Sequence, residues 1–238
     1  MSRFRSSCLS ITGPIGYSAQ MAVAKTGGVG KAKVARREVI LDALGEELKR
    51  KPLAELSVEE IAEASGITRQ RFYHYFPTKY EALAALLDEV SDRLMEVYIQ
   101  PGSWFVRPPG VTPREALLPT FEAVMEFWIE NGHILREGAD LWNLPESVRT
   151  HWYRFMGRMV DFTALQIQRE RDEGVAPQGP DPRLLASQLQ WMGERLAFLE
   201  TIGAPAAIGL TEEAFEASAD FFLRVVYLDD DPQLPAGR

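Results

Sequence analysis

The sequence predicts an all-α protein of about nine helices, with a small N-terminal head attached to a larger helical body. From residue 31 onward, apolar residues recur at helical spacing almost throughout. Short runs rich in proline and glycine separate these segments, and neither a convincing strand pattern nor an internal repeat is present. We therefore expect a disordered N-terminal arm over residues 1–30, a head over 31–77, a body over 78–230 and a disordered tail over 231–238.

Composition excludes several classes of protein. The chain has 238 residues, of which 46% are hydrophobic, without an apolar run long enough to cross a membrane. Its one cysteine, Cys8, cannot form an internal disulfide, which favours a cytoplasmic location. The three histidines, His74, His133 and His151, are too scattered in sequence for a metal site. Hydrolase, metalloprotease and nucleotide-binding motifs are absent, so we expect no catalytic residue, metal or cofactor.

Charge is distributed unevenly along the chain. The net charge is −8, yet residues 1–80 hold 13 Lys or Arg against 8 Asp or Glu. A basic head on an acidic body suits a protein that touches a polyanion at one end only. Chance variation in surface charge is the alternative. Basic residues near the start of the head could reach phosphates: Lys25, Lys31, Lys33, Arg36 and Arg37.

The head contains closely spaced helix start and stop signals. Ser57 and Glu60 form a capping box that predicts a helix start, and Gly66 suits the turn that follows. Thr68 can cap a third helix, which Pro77 ends. A second capping box, from Thr78 to Glu81, predicts a long helix through about residue 99.

Two short helices joined by a glycine turn are typical of a helix-turn-helix, whose second helix enters the DNA major groove. Arg pairs with guanine and Gln with adenine, so Arg69 or Arg71 is the first candidate for reading bases and Gln70 is the second. Tyr73, His74 and Lys79 suit the phosphate backbone. A solvated surface helix and a non-regulatory DNA-packaging protein are the alternatives. The full predicted DNA face comprises Ser57, Thr68, Arg69, Gln70, Arg71, Tyr73, His74 and Lys79.

The body is predicted to contain five helices after a linker at residues 100–113, which holds four prolines and two glycines. These helices span about 114–131, 133–142, 145–173, 181–202 and 211–228. Trp, Phe and Met are dense along them, which indicates either plain core packing or an enclosed apolar cavity. An all-α enzyme acting on a lipophilic substrate is a further alternative.

The segment SVEEIAEASGITRQRFYHYFPTKYEALAALL resembles the signature of the TetR family of transcriptional repressors. The resemblance covers roughly residues 35–87 and is highly specific. It implies a three-helix DNA-binding head, a helical ligand-binding body and a homodimer on a palindromic operator. It also implies that residues 68–71, Tyr73, His74 and Lys79 lie at the DNA face.

The body segments FMGRMVDFTALQIQRERDEGVAP and LLASQLQWMGERLAF are similar to the EthR-like branch of that family. The likeness implies a tunnel for a small hydrophobic effector. By this likeness, the residues expected to line the tunnel are Leu117, Phe121, Val124, Trp128, Trp152, Met156, Met159, Phe162, Thr163, Gln190, Gly193, Phe198 and Phe222. Gln190 and Gly193 stand where the branch usually has asparagines, Phe162 replaces a tyrosine and Met159 a tryptophan, so a less polar pocket is expected.

The last two helices carry apolar stripes that the resemblance assigns to a dimer interface. Leu184, Leu185 and Leu189 lie on one helix, and Phe215, Phe222 and Val226 on the other. The alternative is that both stripes only close the core of the monomer. Together these features predict a dimeric repressor that binds a double-stranded operator and is released by a small hydrophobic effector.

Overall fold

A computed structural model describes residues 28–140, 144–204 and 213–235. Over these residues the chain folds into eight α-helices and two 3-10 helices, and no strand is found among them. The all-α prediction is therefore confirmed. The α-helices are α1 Gly28–Leu48, α2 Val58–Ala64, α3 Arg69–Tyr75, α4 Lys79–Tyr98, α5 Pro113–Ala139, α6 Glu146–Asp172, α7 Pro182–Thr201 and α8 Glu213–Tyr227.

Helix α1 begins at Gly28, three residues before the predicted start of the head. The rest of the predicted disordered arm, residues 1–27, lies outside the described residues. The C-terminal half of α1 buries four apolar side chains completely, at helical spacing: Ile40, Leu41, Leu44 and Leu48. In the predicted tail, residues 231–235 are described and Pro232 is buried, whereas 236–238 fall outside the description.

Local hydrogen bonds define the short helices of the head. The Ser57 hydroxyl accepts the Glu60 amide at 3.2 Å, and the Glu60 carboxylate accepts the Ser57 amide at 2.8 Å, which completes the predicted capping box. Gly66 has a φ of +67°, which glycine adopts without strain. Thr68 caps α3, and the Thr78 hydroxyl accepts the Glu81 amide at 3.1 Å at the start of α4.

The prediction of nine helices is wrong by one, because the segments 114–131 and 133–142 form the single helix α5. Asn131 is satisfied inside that helix, since its amide donates to the Phe127 carbonyl at 2.9 Å and accepts from Arg93 at 2.8 Å. Gly132 does not interrupt the helix but allows α5 and α7 to approach closely. A Cβ atom there would lie 2.7 Å from Cγ2 of Thr201, at the end of α7.

The predicted linker at 100–113 belongs to the core of the body. It contains a 3-10 helix, Trp104–Val106, whose Trp104 and Phe105 side chains are buried. The Trp104 amide donates to Oγ1 of Thr120 at 2.8 Å, and its indole donates to the Tyr227 hydroxyl at 2.7 Å. The segment therefore joins α5 to α8 instead of lying loosely between helices.

Helices α4 to α8 form the body, in which α6 packs against α4 and α7, and α5 packs against α4, α7 and α8. A buried ion pair fastens the loop before α5 to α6. Nη2 of Arg107 lies 2.7 and 2.8 Å from the two carboxylate oxygens of Glu170. Gln166 adds a hydrogen bond to the same carboxylate at 2.8 Å. None of the helices in the described ranges has both the length and the apolar character of a membrane span.

Candidate functional site

Helix α3 presents one polar face to solvent and buries its opposite face. Phe72 is buried, as is Phe76 at the end of the helix, and their rings contact each other at a centroid distance of 5.9 Å. These anchors leave the N-terminal turn of α3 outside the core. The exposed residues of the predicted DNA face are Ser57, Thr68, Arg69, Gln70, Arg71, Tyr73 and His74.

Arg69 and Arg71 differ in how they are held. The Arg69 guanidinium pairs with Glu59 of α2 at 2.5 Å and lies 5.5 Å from the centroid of the Tyr73 ring. The nearby Tyr73 hydroxyl and the Glu59 carboxylate raise the pKa of Arg69. In the part of the chain that the structure describes, the Arg71 and Gln70 side chains have no hydrogen-bond or ion-pair partner. Arg69 is thus pre-oriented, whereas Gln70 and Arg71 are open to an incoming ligand.

Lys79 has a different environment from the other residues of the predicted DNA face. Its ammonium lies 2.7 Å from the carbonyls of Leu53 and Leu56 and 3.2 Å from that of Ala54. An ammonium has three N–H donors, so these three carbonyls can occupy all of them. Partial burial lowers the pKa of Lys79. The first residue of α4 therefore fastens the turn that precedes α2.

A second connection runs from the head to α5. Oε2 of Glu137 accepts the Leu53 amide at 3.2 Å, and Nη2 of Arg136 donates to the Leu48 carbonyl at 3.2 Å. Burial raises the pKa of Glu137. Sequence reasoning missed this pair, because nothing in the local pattern distinguishes it from other charged residues on a helix.

The body contains an apolar cavity of about 90 Å³. This is several times the roughly 10–15 Å³ that one water molecule requires. Its wall is built from α4, the 3-10 helix at Trp104, and α5 to α8. Nine of the predicted pocket residues line it: Leu117, Phe121, Val124, Trp128, Met156, Met159, Gln190, Gly193 and Phe222.

Four predicted pocket residues lie outside the wall. Trp152 is buried against Gly138, where a Cβ atom would lie 2.5 Å from its ring. Phe162 stacks behind Phe105 at a centroid distance of 4.8 Å. Thr163 accepts a hydrogen bond from Gln190 at 2.8 Å, and the Phe198 ring lies 4.6 Å from the Arg195 guanidinium. Trp152, Phe162 and Thr163 thus support wall residues from behind.

The remaining wall residues were not predicted. The sequence does not single out Trp104 and Phe105, because the prolines and glycines around them predict a linker. It does not single out Glu194, because this residue resembles any charged residue on a helix. The complete unpredicted set is Leu94, Tyr98, Trp104, Phe105, Thr120, Met125, Phe155, Leu189, Glu194, Leu196, Ala197 and Ser218.

The polar groups of the cavity differ in how well they are satisfied. Thr120 donates to the Ala116 carbonyl at 2.7 Å while it accepts from Trp104. The Tyr98 hydroxyl lies 3.5 Å from Oε1 of Gln190, and burial raises the pKa of Tyr98 to about 12. Glu194 is 5% exposed, and neither of its carboxylate oxygens has a hydrogen-bond partner among the described residues. Burial raises the pKa of Glu194 to about 7. The expectation of a less polar pocket therefore overlooked an ionisable group.

A helix-turn-helix head joined to a helical body with an apolar cavity is the architecture of a DNA-binding regulator. Residues 40–86 match the family described as bacterial regulatory proteins, tetR family. Residues 118–228 match the C-terminal domain of the transcriptional regulator EthR. The chain is 32% identical over 174 residues to the HTH-type transcriptional regulator EthR of Mycobacterium tuberculosis, covering 72% of this chain and 79% of that protein. The chain therefore belongs to the TetR family, and it is a transcriptional regulator rather than an enzyme.

Solved structures share the fold at lower sequence identity. SmeT in complex with triclosan superposes with a TM-score of 0.63 at 20% identity, over 86% of this chain and all of that one. FadR of Thermus thermophilus, a TetR-family repressor in complex with lauroyl-CoA, gives a TM-score of 0.57 at 21% identity. That match covers 84% of this chain and 100% of the FadR chain.

Proposed function

We propose that this regulator is a cytoplasmic repressor that binds a palindromic operator as a homodimer and leaves it when a small hydrophobic molecule fills the body cavity. One observation carries the proposal. Helix α4 contributes Leu94 and Tyr98 to the cavity wall, and its first residue, Lys79, binds the turn that precedes α2. Its 20 residues form a rod roughly 30 Å long. A shift of the cavity wall therefore has a direct route to the head.

The surface of α3 supports the assignment of base contacts. Gln70 and Arg71 are exposed and unpaired among the described residues, so contact with a base would break no existing bond of theirs. Arg69 would exchange an exposed ion pair with Glu59, which solvent already screens. Exposed Tyr73 and His74 suit phosphate contacts.

We assign Ser57, Thr68 and Lys79 to positioning the DNA face. Ser57 and Thr68 use their hydroxyls as helix caps, and Lys79 has its three donors on backbone carbonyls. For Lys79 this replaces the phosphate contact that we expected from the sequence. Lys25, Lys31 and Lys33 belong to the N-terminal segment, and their side chains lie outside the described residues.

The dimer proposal is supported by apolar side chains that the monomer leaves in solvent. Leu184 on α7 is 63% exposed and Phe221 on α8 is 48% exposed. Leu189, Phe222 and Val226 of the predicted stripes are buried within the monomer, Leu185 is half-buried, and the Phe215 side chain lies outside the described residues. Leu184 and Phe221, rather than the buried stripe residues, are thus the candidates for contact with a second copy.

The effector would act by binding one of two arrangements of the body more tightly than the other. SmeT and FadR show the shared fold with triclosan and with lauroyl-CoA, two ligands with large apolar parts. In this chain the wall is mostly aromatic and aliphatic, so a similar chemical class fits. Coupling of this kind typically changes operator affinity by about 1–3 kcal/mol, or roughly 5–150-fold.

A cavity-filling variant tests the proposal without knowledge of the effector. Gly193 lines the cavity, and a Cβ atom there meets nothing within 4 Å. Gly193→Phe should therefore occupy the cavity and lower operator affinity roughly 5–150-fold. The measurement is a band-shift titration on a fragment carrying an inverted repeat from the gene's own promoter, with excess competitor DNA.

The matched control is Gly157→Phe on α6, where a Cβ atom also meets nothing within 4 Å but which does not line the cavity. The control should bind the operator like the unmodified protein. Full operator affinity in Gly193→Phe, with a filled cavity shown by its crystal structure, would contradict the coupling of cavity and head.

A further inference from the structure

The wall of the body cavity contains one carboxylate, that of Glu194, whose oxygens accept no hydrogen bond from the described residues. Glu194 lies on α7, lines the cavity and is 5% exposed. Both of its carboxylate oxygens are buried without a hydrogen-bond partner in the described chain. Buried carboxylates normally have partners, because an unpaired buried charge is costly. An unsatisfied acceptor in the wall of a ligand cavity indicates that the partner comes from outside the chain.

The neighbouring arginine does not satisfy this carboxylate. Nη2 of Arg195 lies 3.7 Å from Oε2 of Glu194, beyond hydrogen-bond distance. The Arg195 guanidinium instead lies 4.6 Å from the centroid of the Phe198 ring, and about half of its side chain is in solvent. Arg195 therefore favours the charged form of Glu194 from the outside and leaves both carboxylate oxygens open as acceptors.

The other polar groups of the wall are already paired. Thr120 bonds to backbone groups on both sides, and Gln190 bonds to Thr163 and approaches Tyr98. Among the described wall residues, Tyr98 on α4 and Glu194 on α7 are the ionisable ones, and Arg195 is the nearby cation. A donor group entering the cavity thus meets a single unpaired acceptor of opposite charge.

Aromatic rings make up much of the remaining wall. Ring faces attract cations, and they attract them most strongly where water is excluded. A carboxylate among such rings favours a positively charged nitrogen over a neutral donor, since only the former compensates its charge. The aromatic wall residues are Tyr98, Trp104, Phe105, Phe121, Trp128, Phe155 and Phe222.

We propose that Glu194 binds the ammonium group of the effector, so that the effector is an amphipathic amine whose apolar body lies among the aromatic rings. This inference rests on the proposed effector cavity and specifies the chemical class that it takes. The Glu194 carboxylate accepts N–H donors from the ligand, and the ligand's charge replaces the missing partner.

The test compares three probes that share one skeleton: 4-phenylbutylamine, 4-phenylbutanol and 4-phenylbutyrate. Binding to the full chain is followed by isothermal titration calorimetry and by tryptophan fluorescence, since Trp104 and Trp128 lie in the wall. At pH 8 the amine should bind at least tenfold more tightly than the alcohol, and the acid most weakly. Equal binding of amine and alcohol, or tightest binding of the acid, would overturn the proposal.

Glu194→Gln should reduce the preference for the amine to less than about threefold while the alcohol still binds, since an amide keeps the shape but removes the charge. The matched control, Glu200→Gln, removes the same charge from an exposed position on the same helix and should keep the full preference. A preference that persists in Glu194→Gln would overturn the proposal.

The unmodified protein provides a second measurement that does not depend on a variant. Because burial raises the pKa of Glu194 to about 7, the carboxyl is mostly ionised at pH 8 and mostly neutral at pH 6. Primary amines remain protonated at both pH values. Affinity for the amine should therefore fall about tenfold from pH 8 to pH 6, and affinity for the alcohol should not fall. An amine affinity independent of pH would contradict the role of Glu194.

These outcomes separate the two proposals. Binding of amine and alcohol with equal affinity leaves the effector cavity intact and removes only the role of Glu194. Failure of all three probes to bind would count against both proposals. Operator binding that does not change when the amine is bound would count against the proposed repressor mechanism alone.

Discussion

The head and the body of this regulator place their proposed functional residues in opposite ways. The head exposes a contiguous run, residues 68–71, which comprises the N-cap and the first turn of a seven-residue helix anchored by buried rings. The body draws its cavity from five helices and a 3-10 turn that are up to 128 residues apart, from Leu94 to Phe222. A contiguous surface can be recognised from the sequence, whereas an enclosed cavity depends on tertiary packing.

The largest expected effect is a loss of stability in the body. Arg107→Ala leaves the buried Glu170 carboxylate without its arginine partner, so we expect a loss of about 3–5 kcal/mol in the free energy of unfolding. Urea denaturation followed by circular dichroism measures this loss. Arg158→Ala, which breaks an exposed ion pair with Asp92, should cost less than about 1 kcal/mol. Similar losses in both variants would show that burial does not distinguish the two pairs.

The next effect concerns DNA recognition by the head. Arg71→Ala should cost about 1–3 kcal/mol of specific operator binding and relax the preference for one base pair. The unfolding free energy should change little, because the Arg71 side chain is exposed. Titration of the operator and of single-base variants measures both quantities. An equal loss on every sequence would assign Arg71 to the phosphate backbone instead.

Lys79→Met tests whether the residue that joins the body to the head also contacts DNA. The variant removes three hydrogen bonds from an ammonium to carbonyls, and each charged hydrogen bond contributes up to about 1.5–3 kcal/mol when buried. Because Lys79 is only partly buried, we expect a total loss of about 1–2 kcal/mol in stability. The dependence of operator affinity on salt should keep its slope.

A phosphate contact makes a different prediction for the same variant. Loss of one phosphate contact would lower the slope of log K against log salt by about 0.9. A slope reduced by that amount in Lys79→Met, with unchanged stability, would restore the interpretation made from the sequence. Arg50→Met removes a positive charge from a mostly exposed side chain in the head and serves as the control.

The smallest effect tests the caps of the head. Ser57→Ala removes the side-chain acceptor of the Glu60 amide and should cost about 1 kcal/mol of stability. Thermal unfolding measures the change, and Ser57→Asp should restore most of it because aspartate also caps helices. A loss in Ser57→Ala that Ser57→Asp does not restore would indicate a role for Ser57 other than capping.

The sequence predicted the head in more detail than the body for a physical reason. The roles of Ser57, Gly66 and Thr68 depend on residues within three or four positions, so their spacing alone predicts the helix ends. The all-α class and the family resemblance could be predicted for the same reason, since both rest on local sequence pattern. Both predictions are confirmed.

The body contains residues whose meaning depends on distant partners. The predicted segments 114–131 and 133–142 leave a gap at Gly132, because only the approach of Thr201 reveals the purpose of this glycine. Trp104 lies among prolines and glycines, yet it bonds to Tyr227, 123 residues away. Glu194 differs from an ordinary surface glutamate only in what surrounds it. No pattern of local spacing identifies such residues.

The unbroken course of α5 through Gly132 places contacts of the cavity and contacts of the head on one helix. Leu117 on the cavity side lies roughly 22 Å from the Gly132 contact, and Glu137 on the head side lies roughly 7 Å from it. The helix that lines the cavity is thus the same helix whose Arg136 and Glu137 bond to the head. A larger side chain at position 132 would push α5 away from α7 and disturb both sets of contacts at once.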